Sequence, residues 1–185
     1  MHHMKRVLSI AMPVLIAGTI TAACQTVQTT QGGAVGVQRS QLMMVSAQEI
    51  EQASSQQYQE MLAEARRKNA LDRDPATVQR VRRIVSRLTA QTGAFRPDAP
   101  SWAWEVHVFS SNELNAWCMA GGKMAIYTGL IQGLNLTDDE IAAVMGHEIA
   151  HALREHAREQ VSKSMATGIG VSLAGALLGF GQAGQ

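Results

Sequence analysis

The sequence predicts an α+β domain, mostly helical, with a small antiparallel sheet and one helix buried on most sides. Three observations predict it. Apolar residues recur at helical spacing through residues 75–88. They alternate with polar residues over 104–109, ahead of a glycine turn. An uncharged stretch surrounds a histidine pair at 147 and 151. With 46% hydrophobic and 17% charged residues, the 185-residue chain has the balance of one folded domain. Sixteen basic residues are nearly matched by fifteen acidic ones, so the chain carries no electrostatic footprint for nucleic acid.

The chain opens with Lys5 and Arg6, then an uncharged stretch over 7–23 that ends in small residues before Cys24, which is the pattern of a secretion signal. Its apolar part is short and interrupted by Pro13, which disfavours a membrane-spanning helix of about 20 residues. Thr21-Ala22-Ala23-Cys24 resembles the end of a bacterial lipoprotein signal, where the cysteine receives the lipid; Thr21 departs from the aliphatic residue usual there. The expectation is a signal peptide over 1–23 and membrane attachment by a lipid on Cys24. Gln25, rather than Asp, after the cysteine points to the outer membrane, facing the periplasm of the bacterial cell envelope. With Cys24 acylated, Cys118 is left without an internal disulfide partner and is expected to be buried.

Residues 24–44 are rich in Gln, Thr and Gly without apolar periodicity, and are expected to form a flexible tether to a domain over 45–185. Ser46, with Glu49 three residues on, predicts a capping box and a helix to Asn69. Asp74-Pro75 starts a second helix, whose Val78, Val81, Ile84, Val85 and Leu88 share a face while Arg80, Arg82, Arg83 and Arg87 are mostly solvated. Next comes a half-buried strand, with Trp104, Val106 and Val108 on one side and Glu105, His107 and Phe109 on the other. Residues 115–119 and 123–128 flank Gly121-Gly122 as a hairpin, and a short helix follows over 129–134. Thr137 with Glu140 then caps a helix expected to continue to about Lys163. The apolar stretch 165–180 is too short and glycine-rich for a span, and reads as close helix packing rather than an integral-membrane segment.

In His147-Glu148-Ile149-Ala150-His151 the histidines are four residues apart, so both imidazoles project from one helix face and can reach one ion. Glu148 lies about 100° round the helix from His147, beside such an ion. Zinc lowers the pKa of a water it binds to about 7, and a nearby carboxylate can take that proton as the water attacks a peptide carbonyl. The same carboxylate can then pass it to the leaving amine. A five-residue match also arises on solvated helices, but Val144, Met145, Gly146, Ile149, Ala150, Ala152 and Leu153 are all uncharged here. Such a helix is expected to be buried, where a metal would satisfy the polar groups together. His156, nine residues beyond His147, falls on the opposite side of a continuous helix, and no glycine lies between His151 and His156 to break it. His107, on the strand, reads as a packed or exposed histidine rather than a ligand.

The residues 115–123, then Ile126-Tyr127-Thr128-Gly129-Leu130, then His147 to His151, together resemble the zinc metallopeptidase family of the CAAX prenyl proteases and HtpX. Its small periplasmic lipoproteins are the nearest likeness. The likeness covers roughly 45–185, and Ala120 departs from a proline frequent in that family. It implies a zincin-like (gluzincin) fold, one Zn2+ per chain on His147 and His151, and Glu148 as catalytic base. It also implies polypeptide substrates, among them misfolded envelope proteins, with substrate lying along a sheet edge beside the zinc helix. The alternatives are a non-catalytic envelope lipoprotein acting as scaffold or chaperone, or an inactive fragment lacking the third zinc ligand.

A catalytic zinc takes three protein ligands and an open position. The resemblance implies a glutamate on a later helix as the third, yet no Asp, Glu, His or Cys follows Glu159. Residues 45–185 are therefore expected to be the N-terminal part of a metallopeptidase domain. Glu155 is two turns from His147 on a rigid helix, while Glu105 and Glu113 stay open as upstream ligands.

Overall fold

A computed structural model describes residues 25–30, 40–168 and 173–177. Cys24 and the stretch read as a secretion signal lie outside the described residues. The architecture is α+β and mostly helical. Helix α1 spans Ala47–Arg67 and α2 spans Pro75–Thr89. A sheet of β3 (Glu105–Phe109), β4 (Ala116–Met119) and β5 (Lys123–Tyr127) follows. Then come α3 (Thr128–Gly133), α4 (Asp138–Leu153), α5 (His156–Thr167) and α6 (Leu173–Leu177).

The helix starts follow from local chemistry. Ser46 and Glu49 form the reciprocal capping box of α1, and Thr137 and Glu140 form that of α4. Asp74 accepts from the Ala76 and Thr77 amides ahead of a proline at the first turn of α2. Arg80, expected on a solvated face, instead donates to Asp138 Oδ1 at 2.5 Å and to the Leu136 carbonyl at 2.7 Å. It thereby ties α2 to the start of α4.

The sheet is mixed, not antiparallel as expected. Its order is β3-β5-β4, with β5 antiparallel to β4 and parallel to β3. The cause lies in β5 itself, where Met124, Ala125, Ile126 and Tyr127 are all buried. A strand with four successive buried positions, facing both ways, belongs in the middle of a sheet covered on both faces. The expected hairpin brings β5 back along β4, with Gly121 at φ 75° and Gly122 at φ 79° in the turn. The chain therefore reverses twice between β3 and β5, which leaves those two strands parallel.

Helices cover both faces. Val106, Val108, Met124 and Ile126 pack with Val78, Val81 and Val85 of α2 and Ile141, Met145 and Ile149 of α4. On the other face Phe109, Trp117, Met119, Ala125 and Tyr127 meet Tyr58, Leu62 and Ala65 of α1. Phe109, expected on a polar face, is buried by α1. The outer edge of β3 is closed by the segment before α2: Ser110 donates its amide to the Ala70 carbonyl and Asp72 donates its amide to the Val108 carbonyl. The Asp72 carboxylate takes the Val108 amide and lies 2.6 Å from His107 Nδ1. Among the described residues no strand pairs with the outer edge of β4.

Two expectations are corrected beyond the sheet. Part of the stretch 24–44 read as a tether is ordered, because β1 (Gln25–Val27) and β2 (Gln41–Met43) pair antiparallel and β2 packs on α5. Buried Gln41 donates to the Arg154 carbonyl and to the Glu159 carboxylate, both at 2.8 Å. Residues 31–39 lie outside the description.

The second correction concerns the motif helix, which stops at Leu153 instead of continuing to about Lys163. Glu155 sits in the left-handed region at φ 51° and ψ 38°, and α5 starts afresh at His156. That conformation costs a non-glycine residue about 1–2 kcal/mol. Ion pairs from the Glu155 carboxylate to Arg96 at 2.6 Å and Arg158 at 2.8 Å hold it there. Arg96 also donates to the Leu153 carbonyl, while Gln41 and Thr29 donate to that of Arg154, so the end of α4 is satisfied by side chains.

Candidate metal centre

Helix α4 carries the motif residues past the hairpin, alongside β4. Ile141, Met145, Ile149, Ala152 and Leu153 are buried. Ala143, His147 and Ala150 are exposed. The helix is thus covered along one face, not on most sides as expected. Small apolar residues on its open face gave the uncharged reading without requiring cover.

The one-turn spacing of the two histidines brings their rings to 4.6 Å between centroids at 80°, with Nε2 of each 2.9 Å from Nε2 of the other. Glu148 is half-buried. Burial raises its carboxyl above the ordinary carboxylate range, partly opposed by the neighbouring His147. Burial also lowers the His151 imidazole, helped by His147 and Arg154, which favours the neutral ring. Buried Cys118 on β4 has its thiol pushed up by burial and then by the charge of Glu148.

His156 is where the structure departs most from the continuous-helix expectation. The break at Glu155 turns α5 back, and His156 Nδ1 lies 2.5 Å from His151 Nδ1. The other candidate ligands are engaged elsewhere. Glu105 meets His107 and Lys123, the Glu113 carboxylate takes the Ser111 hydroxyl at 3.5 Å, and Glu155 meets Arg96 and Arg158. His107 itself is held between Asp72 and Glu105. Among the described residues no three His, Cys, Asp or Glu form a group able to hold a metal ion, so the structure brings together two donors and their neighbouring carboxylate.

Sequence reasoning missed Arg96, Glu155 and His156 as one unit. Arg96 is 59 residues from Glu155 in the chain, and no local pattern marks their pairing.

The model of the family described as Peptidase family M48 matches residues 75–185. The chain belongs to peptidase family M48. Among relatives in the family, the Metalloprotease LoiP of Escherichia coli is 26% identical over 94% of this chain and 64% of its own length. The bovine mitochondrial Metalloendopeptidase OMA1 is 29% identical over 67% of this chain and 23% of its own. The Arabidopsis thaliana Mitochondrial metalloendopeptidase OMA1 is 38% identical over 34% of this chain and 13% of its own. The chain thus spans less than two thirds of the length of each of these M48 relatives. The M48 match covers β3 to β5, α4 and α5, so the two histidines, Glu148 and the Glu155 break all fall inside it.

Proposed function

We propose that the chain is a zinc-dependent metalloendopeptidase that holds one Zn2+ per chain through His147 and His151, with Glu148 as the catalytic base. The observation that carries this reading is the meeting of two imidazole Nε2 atoms at 2.9 Å beside a half-buried carboxylate, in an M48 chain. Neutral imidazole suits zinc, and two nitrogens on a tetrahedral ion at about 2.0–2.1 Å stand roughly 3.3 Å apart. The histidine pair fits after an adjustment of a few tenths of an ångström. Bound zinc would acidify a water and polarise a peptide carbonyl. Glu148 takes the proton from the attacking water and returns it to the leaving amine.

Among the described residues no strand pairs with the β4 edge beside α4, and an extended polypeptide can add there by backbone hydrogen bonds. A chain free of its own secondary structure presents such a backbone along its whole length. The proposed substrates are therefore misfolded or loosely folded envelope proteins. Among the described residues no helix is long and apolar enough to cross a membrane. The basic start, apolar core and small residues leading to Cys24 support a lipid anchor in the outer membrane, facing the periplasm.

With a third protein ligand completing the zinc site, the protein is expected to cleave casein, to stop on addition of 1,10-phenanthroline and to recover with zinc. Cleavage that persists through chelation would overturn the reading. For the anchor, mass spectrometry of protein made in a Gram-negative host should find a mature chain that starts at Cys24 and bears lipid. An unmodified Cys24, or a start elsewhere, removes that part.

A further inference from the structure

A ligating histidine uses one ring nitrogen for the metal, and the hydrogen bond at the other fixes which nitrogen carries the proton. His151 presents Nε2 to His147, so its Nδ1 must bear the proton if Nε2 is to offer a lone pair. The acceptor available to that proton is His156 Nδ1, at 2.5 Å, with the rings 66° apart and their centroids separated by 4.7 Å. His156 then carries its own proton on Nε2.

The chain goes out of its way to make this contact. On a continuous helix, residues five apart are separated by about 7.5 Å along the axis and about 140° around it, and their rings do not meet. His156 reaches His151 because Glu155 is left-handed, and Glu155 is left-handed where Arg96 and Arg158 grip its carboxylate. Arg96 is itself braced, with its guanidinium 4.9 Å above the Trp102 ring and its Nε on Asp98.

We propose that His156 is a positioning residue of the metal centre: it accepts the Nδ1 proton of His151 and so aims the His151 Nε2 lone pair at the ion. The Arg96–Glu155 pair is the latch that keeps His156 in place. This inference rests on the zinc reading above and adds to it the tautomer and orientation of one ligand.

The test compares Zn2+ affinity, by competition with a chromophoric chelator, in the unmodified chain and in His156→Leu, His156→Asn and His147→Ala. Metal-free melting of each variant, and the visible spectrum with Co2+, are measured alongside. His156→Leu fills similar space without an acceptor and is expected to weaken zinc binding on the order of 10–100-fold. His156→Asn can set its Oδ1 where Nδ1 stood and should recover most of that loss. The Co2+ band shape of His156→Asn should match that of the unmodified chain.

A purely structural histidine would lower the metal-free melting temperature and leave the affinity of the folded protein alone. Equal affinity in His156→Leu and the unmodified chain overturns the inference, as does an equal loss in Leu and Asn variants. A Co2+ spectrum that loses a nitrogen ligand in His156→Leu also overturns it, since His156 would then be a ligand. His147→Ala separates the two levels. If it too leaves metal affinity unchanged, the zinc reading itself has failed.

Discussion

In a protein whose zinc site is complete, Glu148→Gln is expected to lower proteolysis on the order of 10²–10⁴-fold at saturating zinc, with zinc affinity and melting temperature close to those of the unmodified protein. Glutamine keeps the shape of the side chain and loses the ability to accept a proton from water. Because burial already disfavours the charged carboxylate, the neutral amide adds no desolvation cost, and the fold should not suffer. Loss of cleavage together with loss of metal would point to a ligand role instead. Unchanged cleavage of casein in Glu148→Gln would remove Glu148 from the mechanism.

Gly129→Ala carries the largest expected effect on stability. A Cβ at this position would stand 2.4 Å from the Asn112 carbonyl carbon, and 2.5 Å from the carbonyl oxygens of Asn112 and Glu113. These are backbone atoms, so no side-chain rotation relieves the clash. The segment they belong to is also held in place: Gly129 donates its amide to the Ser111 carbonyl at 2.7 Å, and the Thr128 hydroxyl donates to the same carbonyl at 3.0 Å. Moving this segment shifts the crossing from β3 to β4. Overpacking of this kind costs about 3 kcal/mol, a fall of roughly 10 °C in Tm for a chain of this size. Gly146→Ala is the contrast, because a Cβ there meets nothing within 4 Å inside α4 and should stabilise by about 0.5–1 kcal/mol. Thermal denaturation followed by far-UV circular dichroism checks both. Equal melting temperatures for the two variants would contradict the packing argument.

The features legible in the sequence are those set by neighbours in the chain. The capping boxes at Ser46 and Thr137, the Asp74-Pro75 start and the glycine hairpin each depend on residues a few positions apart, and each forms as read. The one-face placement of His147 and His151 is equally local, since the helical repeat alone fixes it. What was misread depends on distant partners. The parallel pairing of β3 with β5 follows from the burial of β5 on both faces, which needs α1 as well as α2 and α4. Strand β2 owes its order to Gln41 meeting Glu159, 118 residues away. The break at Glu155 looks forbidden without glycine until Arg96 is placed beside it. The exposure of His147 was hidden because Ala143 and Ala150 resemble core residues in sequence and not in space.

The two sides of the sheet differ in what they offer another molecule. The backbone of β3 is already engaged by residues 70–72, so a second chain has no ladder to extend there. Among the described residues that leaves β4, the strand alongside the histidines, as the place where two copies could join sheet to sheet. Self-association by strand exchange and capture of an extended polypeptide therefore compete for the same row of amides and carbonyls. On the proposed reading, a substrate strand seated on β4 would also shield the edge that a second copy could pair with.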